Sequence, residues 1–172
     1  MNILYELGQY GPFILIFLSW YLLWNNKNLL FYYTIGIFIN SILNIILKGI
    51  FQQPRPTIDN KKVNLVKLHA KQNFFRNGIP FDIFGMPSGH AQSTFFTTVY
   101  IYLALKQINL LYIFLFFSIL ICFQRVKFDY HTISQVIVGA IVGSAFGYVV
   151  YTTAREKMKG TIKEKPDDDA PI

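Results

Sequence analysis

Five stretches of this chain are apolar, nearly free of charge and about as long as a membrane is thick: Leu7–Trp24, Leu29–Phe51, Pro87–Leu105, Ile108–Phe123 and Thr132–Tyr151. Roughly 20 such residues cross the hydrocarbon layer as a helix. No irregular backbone can face lipid there, because its polar groups would find no partner. The runs show almost no polar face, which argues against a soluble bundle of five amphipathic helices. The expectation is therefore all-α: a polytopic membrane helix bundle with about five transmembrane helices. Composition agrees, with 53% hydrophobic and 15% charged residues, against about 25% charged in soluble domains. Disorder is excluded on the same ground, and Cys122, the only cysteine, excludes an internal disulfide. The first run has no basic segment before it and no small-residue cleavage site after it, so it reads as a retained span. Residues 1–151 read as one membrane-embedded domain and 152–172 as a polar, disordered tail.

The longest connection, residues 52–86, lies between the second and third spans. A loop of that length in a compact protein usually has a function. It carries Lys61, Lys62, Lys67, Lys71 and Arg76, and its Val63, Val66, Ala70 and Phe74 recur at helical spacing. That pattern fits a short helix lying in the membrane interface as well as it fits a solvated basic loop. His69 reads as an ordinary loop histidine.

Polar residues within the spans are the informative ones, because they are costly in lipid. Asn40, Asn44 and Lys48 are spaced by four on the second span, which places them on one helix face. His90, Thr94 and Thr97 share a face of the third. His131 opens the fifth, Gln135 follows one turn later, and Gly139, Gly143 and Gly147 continue that face. The glycines are expected to allow close helix packing, which turns His131 and Gln135 into the bundle.

Successive spans cross in alternate directions. The end of the second span with Lys48 and Arg55, the start of the third at Pro87-Ser88-Gly89-His90, the end of the fourth at Arg125 and the start of the fifth at His131 then lie on one membrane face. Three cations and two histidines converge there, whereas each alone would have an ordinary reading, such as a lysine snorkelling at a helix end. A cationic pocket suits a multiply charged anion, and guanidinium forks match phosphate oxygens. The amides of Ser88 and Gly89 sit at a helix N-terminus, where an anion is favoured, and Gly89 lets it approach closely. Two histidines can divide the chemistry, one attacking phosphorus as neutral imidazole and the other protonating the leaving oxygen. The cations would stabilise charge on the transferring group without a metal. The nine acidic residues fit that absence, since only Asp167, Asp168 and Asp169 cluster.

These residues resemble the type-2 phosphatidic acid phosphatase superfamily, whose motifs are Lys-x6-Arg-Pro, Pro-Ser-Gly-His and Ser-Arg-x5-His-x3-Asp. Lys48 with Arg55-Pro56 matches the first, Pro87-Ser88-Gly89-His90 the second, and Arg125 with His131 the core of the third. The resemblance spans roughly residues 29–151. It implies a helical membrane bundle that hydrolyses lipid phosphate esters without metal or other cofactor. It also implies His131 as nucleophile and His90 as general acid, with Lys48, Arg55, Ser88, Gly89 and Arg125 holding the phosphate. Two positions depart from the pattern: Gln124 replaces the motif serine and Gln135 the motif aspartate. The family's aspartate accepts a hydrogen bond from the nucleophilic histidine; the Gln135 amide oxygen can reach His131 Nδ1–H but adds no charge. The run His131-Thr132-Ile133-Ser134-Gln135-Val136, followed by Gly139, looks like the dolichyldiphosphatase branch. That branch removes one phosphate from dolichyl diphosphate and so recycles the lipid carrier of protein N-glycosylation.

Three readings follow: a polyprenyl diphosphate phosphatase of the dolichyl type, a phosphatase of another lipid (phosphatidate, lysophosphatidate or a sphingoid phosphate), and a catalytically silent membrane scaffold. The expected partners are the lipid substrate and the bilayer. Nucleic acid is not expected despite the net charge of +7, because the basic residues are distributed along loops and tail. Apart from Lys48, Arg55 and Arg125, six basic residues fall on the site face and seven on the other, a near balance under the positive-inside rule. The basic residues close behind the fifth span, with the dolichyl resemblance, favour a cytosolic tail and a lumenal site in the endoplasmic reticulum membrane.

Overall fold

A computed structural model describes residues 3–56 and 84–159. The described residues form five helices: α1 (Ile3–Leu23), α2 (Lys27–Phe51), α3 (Gly89–Leu105), α4 (Ile108–Lys127) and α5 (Ile133–Lys159). The expected interfacial helix, His69 and residues 160–172 lie outside the described residues. Three helices are long and apolar enough to cross a membrane, over Lys27–Phe51, Ile108–Lys127 and Ile133–Met158. Large apolar side chains cover their outsides; Phe31, Phe38, Phe116 and Ile141 are each at least 60% exposed. In an integral membrane protein these face lipid.

Local signals set the helix ends. The Asn26 side chain caps α2 by accepting from the Leu29 N–H at 3.3 Å. Gln52 ends α2 in the left-handed conformation, its N–H donating to the Lys48 carbonyl at 3.0 Å. Lys106 ends α3 the same way.

α3 is the central helix. It is only 17 residues long, and it buries Gln92, Thr94, Thr97 and Thr98 beside Phe96 and Tyr100. Its polar side chains face protein, where they find partners: Thr97 Oγ1 meets Tyr33 Oη at 3.1 Å, and Thr98 Oγ1 meets Ser118 Oγ at 2.9 Å. Helices α3 and α5 run parallel in near-contact. A Cβ on Gly139 would come within 2.6 Å of the Ser88 carbonyl, one on Gly147 within 2.7 Å of the Phe96 carbonyl, and one on Gly143 would strike the Gln92 backbone. The three glycines thus give α5 its approach to α3. Opposite contacts orient the rest: Gly8 and Gly11 of α1 meet Gln124 and Ile121 of α4, and Gly36 of α2 meets Phe96 and Val150.

The apolar core lies away from the site, around Leu23, Leu29, Tyr33, Phe96, Tyr100 and Phe114. It also explains why α5 extends past Tyr151. The helix runs eight residues beyond Tyr151, into the stretch read as tail, because Ala154 is fully buried and Met158 packs on that core.

Candidate active site

The loop that leaves α2 returns to the start of α3 through a backbone pin. Pro54 and Phe84 form an isolated antiparallel bridge, and the Gly85 N–H donates to the Gln53 carbonyl at 2.7 Å. This holds Arg55 beside the N-terminus of α3, whatever the intervening chain does. Between α4 and α5 the turn is equally constrained. The amides of Tyr130 and His131 both donate to the Arg125 carbonyl, at 3.0 and 3.1 Å, and Asp129 takes a positive φ of 55° to allow it. Arg125 and His131 are therefore fixed relative to each other by backbone.

These segments meet around one cavity of about 390 Å³. Lys48, Arg55, Arg125, His90, His131 and Gly89 line its end at this face of the bundle. Pro12, Phe13 and Ile16 of α1 and Ile37 of α2 line its other arm. Ile37, Ser41, Asn44 and Lys48 follow one face of α2, so the cavity follows that helix for about 16 Å. Lys48 and Arg125 are almost wholly buried, at 2% and 4% exposure. The Arg125 guanidinium lies 4.0 Å from the Tyr130 ring centroid, and its Nη1 donates to Gln9 Oε1 at 3.3 Å.

His131 is 2% exposed. Burial, reinforced by the Arg55 and Arg125 guanidinium groups, pushes its pKa down to about 3, while the hydrogen bond to Gln135 acts the other way. The ring is neutral at ordinary pH. Its tautomer follows from Gln135, which is fully buried. Gln135 Nε2 donates to the Pro54 carbonyl at 2.8 Å and to Gln53 Oε1 at 3.3 Å, and Oε1 accepts from the Thr132 N–H at 3.2 Å. A carbonyl only accepts and an amide N–H only donates, so the side-chain amide has one orientation. Its Oε1 then faces His131 Nδ1 at 3.2 Å. Nδ1 carries the proton, and Nε2 keeps its lone pair.

A polar network backs the pocket. Asn44 Nδ2 donates to Gln92 Oε1 at 2.7 Å and to the Pro87 carbonyl at 3.2 Å, and Gln92 Nε2 donates to Asn40 Oδ1 at 2.9 Å. It ties α2 to the start of α3, so that Lys48 and His90 share a rigid support.

One expectation needs correction. The Ser88 amide was to face the anion with that of Gly89, but it donates to the Gln135 carbonyl at 3.0 Å. The close approach of α5 at Gly139 brings that carbonyl to it. Ser88 is fully buried, and its Oγ has no hydrogen-bond partner among the described residues. Gln124, in place of the motif serine, does not line the cavity; it packs beneath Gly8 of α1. The sequence reading also missed Gln9. Besides holding Arg125, its backbone carbonyl accepts from His90 Nε2 at 3.3 Å. Its signal was visible, as the one strongly polar residue in an otherwise apolar span. Among the described residues no three His, Cys, Asp or Glu side chains lie together as a metal would need.

The chain is similar to a dolichyldiphosphatase of Saccharomyces cerevisiae, 34% identical over 126 residues, which covers 67% of this chain and 48% of the relative. It is similar to lipid phosphate phosphatase epsilon 2, chloroplastic, of Arabidopsis thaliana, 35% identical over 127 residues, covering 69% of this chain and 37% of the relative. Lipid phosphate phosphatase epsilon 1, chloroplastic, of the same plant is 36% identical over 126 residues, covering 69% and 38%. The chain thus spans less than half the length of each of these relatives. No solved structure matches it. The sequence model of the PAP2 superfamily matches residues 28–159, from the start of α2 to the end of α5. Because that match takes in Lys48, Arg55, the Pro87–His90 run, Arg125 and His131 together, the chain belongs to the PAP2 superfamily.

Proposed function

We propose that this protein hydrolyses a lipid phosphate, and that its substrate is a long-chain polyprenyl diphosphate of the dolichyl type, released as the monophosphate plus inorganic phosphate. The observation that carries the reading is the shape of the cavity. Three cations and two histidines stand at one end, and an apolar arm between α1 and α2 leads away from them. That is the form of a molecule with a phosphate head and a hydrocarbon chain. The choice of polyprenyl diphosphate rests on the His131–Val136 run and on the similarity to a dolichyldiphosphatase.

In this mechanism the cations receive the terminal phosphate. His131 Nε2 attacks its phosphorus as the bond to the bridging oxygen breaks, and His90 protonates that leaving oxygen. His90, now neutral, takes a proton from water as the water attacks the phosphohistidine, which frees inorganic phosphate and restores His131. Every charge on the phosphoryl group is met by a side chain of the protein, so no step requires a metal. Arg155, Lys157 and Lys159 lie at the end of α5 opposite the site. Under the positive-inside rule they favour a cytosolic position for that end and a lumenal site, in the endoplasmic reticulum membrane that the dolichyl resemblance implies.

A second reading is a phosphatase of another lipid phosphate, favoured by the two plant relatives, which are 35% and 36% identical against 34% for the yeast one. Phosphate release from a panel at matched detergent mole fraction decides between them. Dolichyl diphosphate is expected to lead. A tenfold preference for phosphatidate would select the second reading, and no release from any substrate would leave a silent scaffold.

A further inference from the structure

Helix α1 lies outside the region matched to the family and contributes no motif residue. It nevertheless touches the site at several points. Tyr5 and Gln9 are one turn apart on it and face the α4–α5 turn. Tyr130 Oη donates to Tyr5 Oη at 3.1 Å, and the Tyr5 and Phe128 rings meet edge to face, 5.5 Å between centroids. Gln9 Oε1 accepts from Arg125 Nη1, and the Gln9 carbonyl accepts from His90 Nε2, both at 3.3 Å.

We propose that α1, through Gln9 supported by Tyr5, is a positioning clamp for the phosphate-binding pocket. The inference rests on the lipid phosphatase reading above. Arg125 has a planar fork whose value lies in its direction. Tyr130 stacks on one face of it, and Gln9 takes one of its N–H groups, so the remaining N–H groups have a fixed aim. Tyr5 holds Tyr130, the stacking partner, in place. Because the amides of Tyr130 and His131 both donate to the Arg125 carbonyl, the clamp also sets where the nucleophile stands relative to the phosphate. On the other side, the Gln9 carbonyl accepts from His90 Nε2–H, so the proton that His90 exchanges with the leaving oxygen and water is the one on Nδ1. Gln9 touches neither the phosphate nor the reacting atoms in this scheme; it acts through Arg125 and His90.

The test uses the full chain in detergent, with vanadate affinity and steady-state kinetics measured together. Gln9→Met keeps length and loses the acceptor. It is expected to weaken vanadate binding about three- to tenfold and to lower kcat/KM by about ten- to thirtyfold, a loss typical of misplaced positioning groups. Gln9→Glu puts a carboxylate against Arg125, where it competes with the substrate's phosphate. It is expected to raise KM more than it lowers kcat, with vanadate binding weakened further. Tyr5→Phe, which removes only a hydroxyl at the bundle edge, guards against a folding defect and is expected to lose two- to fivefold in kcat/KM. Gln9→Met and Tyr5→Phe within twofold of wild type in both measurements, with wild-type turnover intact, would overturn the clamp alone. A wild-type protein that neither binds vanadate nor releases phosphate would overturn the clamp and the proposed function together.

Discussion

Gln135→Ala tests the assignment of tautomer most directly. The substitution removes an amide that holds His131 Nδ1, the Thr132 N–H, the Pro54 carbonyl and Gln53. The catalytic loss has two parts. A hydrogen bond of about 0.5–1.5 kcal/mol no longer favours the Nδ1–H tautomer, which at about 1.4 kcal/mol per tenfold redistributes the tautomers two- to twelvefold. The ring also gains freedom to leave the attack line, so the expected total is about ten- to a hundredfold in kcat/KM. Stability falls as well, because an unpaired buried amide or carbonyl costs about 1–3 kcal/mol. Gln135→Asp separates position from charge. A carboxylate there raises the His131 pKa from about 3, and since the proposed nucleophile is the neutral ring, activity is expected to be lost on the acid side at a higher pH. The assay is the pH profile of kcat/KM, which reports the free enzyme. Gln135→Asp is expected to stay active with its acid limb moved upward. A Gln135→Ala profile that overlays wild type throughout would refute the reasoning, and Asp129 would become the next candidate orienter.

Phosphate release should persist in excess chelator and be inhibited by vanadate, a five-coordinate phosphoryl mimic; loss with chelator and rescue by magnesium would reject the mechanism. His131→Ala should be folded, inactive and unable to take label from phosphate-labelled substrate, whereas His90→Ala should accumulate acid-labile phosphohistidine; turnover in clean His131→Ala would reject the nucleophile. Gly143→Ala should lower the melting temperature, because its Cβ meets the Gln92 backbone rather than a yielding side chain, an overpacking that costs about 1–3 kcal/mol. His131 should make the fold acid-sensitive. Its folded pKa of about 3 lies below the ordinary 6.5, so the unfolded chain binds the extra proton and stability falls as pH drops through 6.5. By pH 5 the loss is about 2 kcal/mol, and His131→Gln should remove it in a thermal melt.

The motif residues could be placed from sequence because the bilayer restricts the possibilities. Spans must alternate in direction, so parity alone brings the end of α2, the start of α3, the end of α4 and the start of α5 to one face. The glycines at 139, 143 and 147 gave the α5 face in the same way, since a stripe of missing side chains invites a neighbouring backbone. What stayed hidden depends on where backbone groups point. The Ser88 amide looked available because helix N-termini leave amides free. That the Gln135 carbonyl of another helix takes it is a consequence of packing depth, which a sequence does not state. Gln9 was visible as an anomaly without a role, because a span's polar residue reveals the need for a partner and not which partner. The helical stretch past Tyr151 is hidden for a related reason: hydropathy marks where lipid contact stops, while the helix continues where Ala154 and Met158 have a core to pack on.

The replacement of the family's motif aspartate by Gln135 gains meaning from the charges around it. Burial depresses the His131 pKa most, and the charges of Arg55, Arg125 and, less, Lys48 add to it; these are the three cations assigned to the phosphate. Together with burial they keep the proposed nucleophile deprotonated while the pocket lacks its anion. When the phosphate arrives its negative charge offsets them, so the ring can accept the positive character that develops as the phosphorus–nitrogen bond forms. Substrate binding itself then supplies the charge that a carboxylate partner would otherwise provide. A permanent carboxylate at position 135 would offset Arg55 and Arg125 before the substrate enters and would repel it. Gln135→Asp should therefore bind vanadate more weakly than wild type, even at a pH where both proteins have a neutral His131. Unchanged vanadate affinity in that variant would mean that Gln135 orients the ring and has no part in tuning the pocket's charge.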